Sequence, residues 1–259
     1  MKTVVGRPPA KKWPWVVGAI AALLLIGIGV LDPAGPADQT AAAVPGTTST
    51  PAPIGSAAVA EVETDGEWAT ALARLNTLAI KGRAPKTGYS RAAFGPAWSD
   101  DVNVEDGHNG CDTRNDMLRR DLTDITVKSN GCVVLSGILN DPYTGTAIPF
   151  QRGAKTSTAV QIDHVVALED AWQKGAQQLD AQTRQNFAND PADLQATDGP
   201  TNEKKGSADA ATWLPPNKSY RCTYVSRQVF VKSRYGLWVT QAEHDAIANL
   251  LTGCGATAP

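Results

Sequence analysis

From Trp13 to Leu31 the chain runs nineteen residues without a charge, and this run decides where a globular fold can begin. At helical rise it approaches the ~20 residues that span the ~30 Å hydrocarbon core of a bilayer. Lys2, Arg7, Lys11 and Lys12 precede it, a basic flank expected to stay cytoplasmic while the remainder is exported. Two readings of residues 1–31 follow: an uncleaved transmembrane anchor, or a signal peptide cut near Ala41-Ala42-Ala43. The run exceeds the usual ~7–15 residue signal core, which favours the anchor. Residues 32–61 are rich in Ala, Pro, Thr, Ser and Gly and lack Lys, Arg and aromatic residues. Such a composition cannot bury enough apolar surface to offset its ordering entropy, so it reads as a disordered linker. The fold is therefore expected over residues 62–254, with 255–259 as a tail.

A formal net charge of −2 gives no global field for nucleic acid. Charge is uneven, however. Glu61 to Asp106 is acidic, whereas Asn202 to Arg234 carries Lys204, Lys205, Lys218, Arg221, Arg227, Lys232 and Arg234 against Glu203 and Asp209. A local basic surface and an ordinary solvated face are both compatible with that run. Cys111, Cys132, Cys222 and Cys254 all lie in the exported part, and none forms a Cys-x-x-Cys pair. Two disulfides are the expectation in an oxidising compartment. Three connectivities are open, of which Cys111–Cys132 with Cys222–Cys254 is the most local, at ~3 kcal/mol per closed loop in the chain-entropy model.

The periodicities describe an α+β domain. Trp68, Leu72, Leu75 and Ala79 give a helix over 66–80, and Asp112 caps another over 113–122 with Met117, Leu118 and Leu122 as its buried stripe. Residues 124–150 read as strands, with a hairpin turn at Ser129-Asn130-Gly131 and a second turn at 141–145. A strand follows over 161–167, helices over 168–176 and 180–188, and a short strand over 193–197. After a turn at Asp198-Gly199-Pro200, a helix opens at Asn202, another covers 219–235, and Thr240-Gln241-Ala242-Glu243 is a capping box. Phe94 and Trp98 are expected as core staples rather than a base-stacking platform.

The chemistry concentrates in Gln161-Ile162-Asp163-His164-Val165-Val166-Ala167-Leu168 and in Asn202-Glu203-Lys204-Lys205-Gly206. A neutral imidazole can take a proton from water, worth ~10²–10⁴-fold. A hard cation such as Mg²⁺ prefers oxygen ligands, which Asp163 and the Asn202 carbonyl offer. Lys204 or Lys205 could hold a phosphate as a point charge. Arg114 could do the same, or pair with Asp112 or Asp116. Adjacent strand residues point to opposite faces, so Asp163 and His164 serve one site only where the strand ends or bulges. Glu169 is either a supporting group or a solvated helix carboxylate, and His108 and His244 read as surface residues.

Asp163-His164-Val165-Val166, with Asp193-Leu194 and Asn202-Glu203-Lys204-Lys205-Gly206, resembles the ββα-metal motif of HNH endonucleases. Gly110-Cys111-Asp112-Thr113-Arg114-Asn115, Phe187-Ala188-Asn189-Asp190-Pro191 and Trp213-Leu214-Pro215-Pro216-Asn217 narrow the resemblance. They are similar to exported actinobacterial members related to the C-terminal nuclease domain of GmrSD-type restriction enzymes. The resemblance implies a ββα-metal core with additional helices and a β-hairpin. It also implies His164 as general base, Asp163 and Asn202 as metal ligands, and Asp193 as the group orienting the imidazole. The implied cofactor is a divalent ion, Mg²⁺ or Mn²⁺. The substrate would be DNA, with RNA left open beside it, cut to a 5′-phosphate and a 3′-hydroxyl. The family usually carries Pro at the position of Ala167, Asn at Asp193 and often Asp at Ser207. A charged Asp193 is expected to raise the His164 pKa.

Two other classes compete. A catalytically degenerate fold would act as an envelope binding module for nucleic acid or cell surface. A cell-wall hydrolase has only location behind it, since neither His-Glu-x-x-His nor Gly-x-Ser-x-Gly occurs.

Overall fold

The structure, a computed structural model, describes residues 65–256. The expected anchor or signal segment and the linker lie outside the described residues. Within them, no helix is long and apolar enough to cross a membrane.

Helix α1 (Asp65–Leu75) buries Trp68, Leu72 and Leu75 against α6 (Arg221–Arg234) and α7 (Gln241–Gly253). It ends five residues before the expected Ile80, because the next segment pairs with another strand-like stretch. Lys81 N–H donates to the Val239 carbonyl and Val239 N–H to that of Ala79, at 3.0 and 3.1 Å. At the other end of the domain, Thr240 and Glu243 cap α7 reciprocally as the sequence predicts.

Helix α2 (Thr113–Asp121) starts at Asp112, whose carboxylate accepts from Asn115 N–H. It feeds an antiparallel sheet of β1 (Leu122–Val127), β2 (Val134–Asn140) and β3 (Ala147–Gln151), in that order. Met117, Leu118, Leu122 and Phe150 pack under this sheet. The turn after β2 matters for the site. The buried Asp141 carboxylate accepts from the backbone N–H groups of Tyr143 and Thr144, the Thr144 hydroxyl and, across the fold, the Thr197 hydroxyl. That web fixes Tyr143, itself fully buried.

The second sheet has two antiparallel strands, β4 (Val160–His164) and β5 (Leu194–Asp198), with His164 opposite Leu194. Strand β4 stops at His164 rather than running on to Ala167. Asp193 captures the next two amides, Val165 N–H on its carbonyl and Val166 N–H on its side chain, both at 2.7 Å. Helix α3 (Leu168–Gln173) is cut short of Ala176 by Gly175, whose φ of 124° no helix accommodates. Helix α4 (Ala181–Ala188) is capped by Asp180. Helix α5 (Gly199–Lys205) begins three residues earlier than expected. Asp198 accepts from Thr201 N–H and hydroxyl, and Pro200 suits a first helical turn, so the presumed turn is the helix start. Gly199 lies so close to the Thr158 carbonyl that a Cβ would have no room, which docks α5 against the start of β4. Cys111 joins Cys132 and Cys222 joins Cys254, the local pairing.

Behind α3, Asp170, Lys174, Asp209, Lys232 and Glu243 are buried together, and the exposed Arg83 reaches them from the surface. Lys174 meets Asp170, Asp209 and Glu243 at 2.6–2.8 Å. Lys232 meets Asp170 and Glu243 at 3.0 and 2.7 Å, and Arg83 completes the balance on Asp170 and Asp209. Its carboxylate neighbours hold the Lys232 ammonium above the ordinary lysine range against the opposing pull of burial. With Arg83 counted from the surface, three cations face three anions and the cluster carries no net charge. Removing one partner strands a charge, so Lys232→Met should cost about 3–5 kcal/mol. Urea unfolding would show it as a lowered midpoint at an unchanged slope. A variant within about 1 kcal/mol of the native chain would contradict this account.

Candidate active site

The end of β4 presents Asp163 and His164 side by side, both buried. Their side chains do diverge, as strand alternation requires. Asp163 turns towards Tyr143, whose hydroxyl donates to it at 2.6 Å, and towards Lys205, whose ammonium lies 2.9 Å from each carboxylate oxygen. His164 turns towards the C-terminus of α4, where Nε2 meets the Ala188 carbonyl at 2.9 Å. Because the strand stops there, both still border one polar cavity of about 400 Å³, together with Asn202, Arg91, Glu169 and Ser207.

A carbonyl can only accept, so the bond to Ala188 puts the proton of the neutral imidazole on Nε2. The lone pair is then on Nδ1. Burial pushes the His164 pKa down to about 3, with Arg91 and Lys205 pulling the same way and the Ala188 carbonyl opposing. The Trp98 indole stacks on the imidazole, ring centroids 6.2 Å apart and planes 18° from parallel. Asn202 donates its carboxamide Nδ2 to Gln161 Oε1 at 2.9 Å, which leaves Oδ1 as its acceptor end. Asp163 and Asn202 are thus two hard oxygen donors on the cavity. Among the described residues, no group of three or more His, Cys, Asp or Glu side chains could hold a metal.

Several expectations need correction. Asp193 does not reach the imidazole. Its carboxyl is fully buried, binds Val166 N–H through Oδ1, and leaves Oδ2 without a partner. Burial pushes this carboxyl well above the usual carboxylate range, so it does not raise the histidine as a fixed charge would. Lys205, expected on substrate phosphate, is 2% exposed and also donates to the His164 carbonyl at 2.6 Å. Arg114 donates to the Ser157 and Val160 carbonyls at 3.3 and 3.1 Å, tying α2 to the start of β4. Lys204 alone of the three stays exposed. The basic run also fails to form a continuous basic face. Lys205 and Lys232 are buried in ion pairs, and Arg227 binds the Ala192 and Leu194 carbonyls. Glu169 pairs with Lys86 at 2.7 Å.

Sequence reasoning missed Tyr143, Arg91, Trp98 and the Ala188 carbonyl. Only the last had a generic signal, since the final turn of any helix offers unpaired carbonyls.

The imidazole makes a test of the geometry. Its folded pKa lies below the unfolded value, so the unfolded chain takes up the proton first as pH falls. The stability it contributes is complete above 6.5 and is lost on the way towards 3. In EDTA, His164→Gln, which keeps an N–H donor for Ala188, should flatten the pH profile of unfolding in that window by up to ~1.4 kcal/mol per pH unit. Superimposable profiles would contradict the buried neutral ring.

Residues 112–250, from α2 into α7, match the family model described as the C-terminal domain of GmrSD restriction endonucleases. An uncharacterized secreted protein of Arthroderma benhamiae is 37% identical over 188 residues, covering 71% of this chain and 85% of that protein. No solved structure matches the chain. The matched span holds Asp163, His164, Asp193 and Asn202, and on this span and this relative the chain belongs to the family of GmrSD restriction endonuclease C-terminal domains.

Proposed function

We propose that the protein is an exported endonuclease that hydrolyses phosphodiester bonds of nucleic acid with a divalent metal ion. The observation that carries this reading is the His164 tautomer beside the oxygen donors. Nε2 is tied to Ala188, and the ring borders the cavity that Asp163 and Asn202 share. Strands β4 and β5 with α5 form the ββα unit of an HNH site in this reading. Membership of a restriction endonuclease family supports the reaction class, and the secreted relative together with the two disulfides supports export.

The roles follow from the contacts. His164 Nδ1 takes the proton of the attacking water, and Ala188 steadies the positive charge that the ring then acquires. Asp163 and Asn202 would hold the metal, which would relieve charge on the phosphoryl group and the departing 3′ oxygen. Two protein oxygens suit Mg²⁺ or Mn²⁺, ions of the kind that keep several waters. Tyr143 and Lys205 fix the Asp163 carboxylate from behind. Oδ2 takes both Tyr143 and Lys205, whereas Oδ1 takes Lys205 alone and keeps a second lone-pair site for a cation. Asp193 positions His164 indirectly, through the backbone of Val165 and Val166. Lys204 remains available for phosphate. The substrate is DNA cut with low sequence specificity, because the site offers groups for phosphate rather than an array for base edges. Anchor or secreted form, the domain acts outside the cytoplasm.

A second reading has one observation in its favour. The Lys205 ammonium beside Asp163 offsets the charge a cation would seek, as in a fold that binds nucleic acid without cutting it.

Plasmid cleavage by the purified chain separates the two. Activity with Mg²⁺ or Mn²⁺ should vanish in EDTA and fall about 10²-fold or more in His164→Ala. Full activity in that variant would remove His164 from the mechanism, and binding without turnover in the native chain would establish the second reading.

A further inference from the structure

His164 is a partition between two cavities of opposite character. One is the polar cavity of Asp163 and Asn202. The other, about 460 Å³, is walled by Phe94, Pro96, Trp98, Leu168 and Ala188, and it shares only His164, Arg91 and Leu168 with the first. Arg91 stands on the border of both. Its backbone is fixed: Ser90 Oγ accepts from Ala93 N–H at 3.2 Å, the Ala93 carbonyl accepts from Arg184 at 2.8 Å, and Phe94 is 1% exposed against Phe187 and Trp172. Its side chain is exposed and has no hydrogen bond or ion pair among the described residues. Among the described residues, this distinguishes it from the arginines that serve the fold. Arg114, Arg120, Arg152, Arg184 and Arg227 all donate to backbone carbonyls.

Trp98 adds a second, independent observation. It is held at φ 57°, a conformation that a bulky side chain adopts only under constraint. The result is an indole laid flat beside the imidazole on the wall of an apolar cavity. Asn189 borders the same cavity, buried, with an Oδ1 that has no donor among the described residues.

We propose that this apolar cavity is a subsite for one unpaired nucleobase of the substrate strand, and that Arg91 binds the phosphate between that nucleotide and the cleaved bond. The inference rests on the nuclease reading and deepens it. The cavity volume falls within the range of small-ligand sites. Stacking of a base on an aromatic wall is sequence-tolerant, because every base has a π-face. The guanidinium matches a phosphate in charge and in fork geometry. A base still paired in a duplex cannot enter, so single strands and unstacked segments are the preferred substrates.

The test uses the full chain in detergent micelles, with a fluorescent single-stranded oligonucleotide and its duplex as probes. The native chain should cleave the single strand with the lower KM. Arg91→Ala should raise that KM about tenfold with kcat within about threefold, and Arg91→Lys should recover part of the loss. Ala97→Leu, which narrows the cavity from an exposed position without touching Trp98 or His164, should raise KM for the single strand more than for the duplex. Unchanged melting temperatures would show that these variants fold. Native KM values in Arg91→Ala and Ala97→Leu, or a loss confined to kcat, would overturn the subsite while leaving the nuclease reading intact. Should the native chain not cleave at all, anisotropy of the single-stranded probe in EDTA still decides. Weakening by about tenfold in Arg91→Ala supports the subsite, and equal affinity refutes it.

Discussion

The ammonium of Lys205 is buried between the Asp163 carboxylate and the His164 carbonyl, and through it the end of strand β4 is held to helix α5. An isolated ammonium would not remain charged in such a place, so the helix and the strand end fix one another's position. Tyr143 closes the arrangement from the opposite side, itself set by the Asp141 turn, which also binds the Thr197 hydroxyl on β5. Three separate stretches of chain thus converge on one carboxylate. Asn202 comes to the cavity because it shares α5 with Lys205, and His164 because it follows Asp163 where the strand stops.

The same economy of charge runs through the whole domain. Positive side chains, within the basic run and outside it, are drawn inward or onto carbonyls: Lys232 and Lys174 into the six-charge network, Arg227 and Arg120 onto the chain around β5. This explains why a chain with a net charge of −2 can belong to a nuclease family without a broad basic face. The cations left for a polyanion are few and local, Arg91 and Lys204 among them. In the proposed mechanism, attraction at the cavity therefore comes from a metal and from point contacts rather than from a long-range field.

Much of the fold was legible in the residues. The caps at Asp112 and Thr240, the Asn130-Gly131 turn and the apolar stripe of α2 all act locally, within a few residues of the groups they satisfy. The errors fell where a distant partner decides. Helix α1 stops at Leu75 because Val239 pairs with the chain beyond it, and β4 stops at His164 because Asp193 takes the next amides. The start of α5 was misjudged because Asp198-Gly199-Pro200 suits both a turn and a capped helix, and docking against Thr158 selects the second.

The site divides in the same way. The sequence by itself determined which side chains could do the chemistry, since an Asp-His pair and an Asn–Lys-Lys-Gly segment announce their kind through identity and spacing. Only the tertiary structure decided what each of them does. Lys205 and Lys204 are neighbours of one type, yet one is buried against a carboxylate and the other faces solvent. The imidazole is oriented by a backbone carbonyl, which has no letter in the sequence, and not by the Asp193 side chain. Protonation and pairing depend on burial and on groups far away in the chain, and those are fixed when the chain folds.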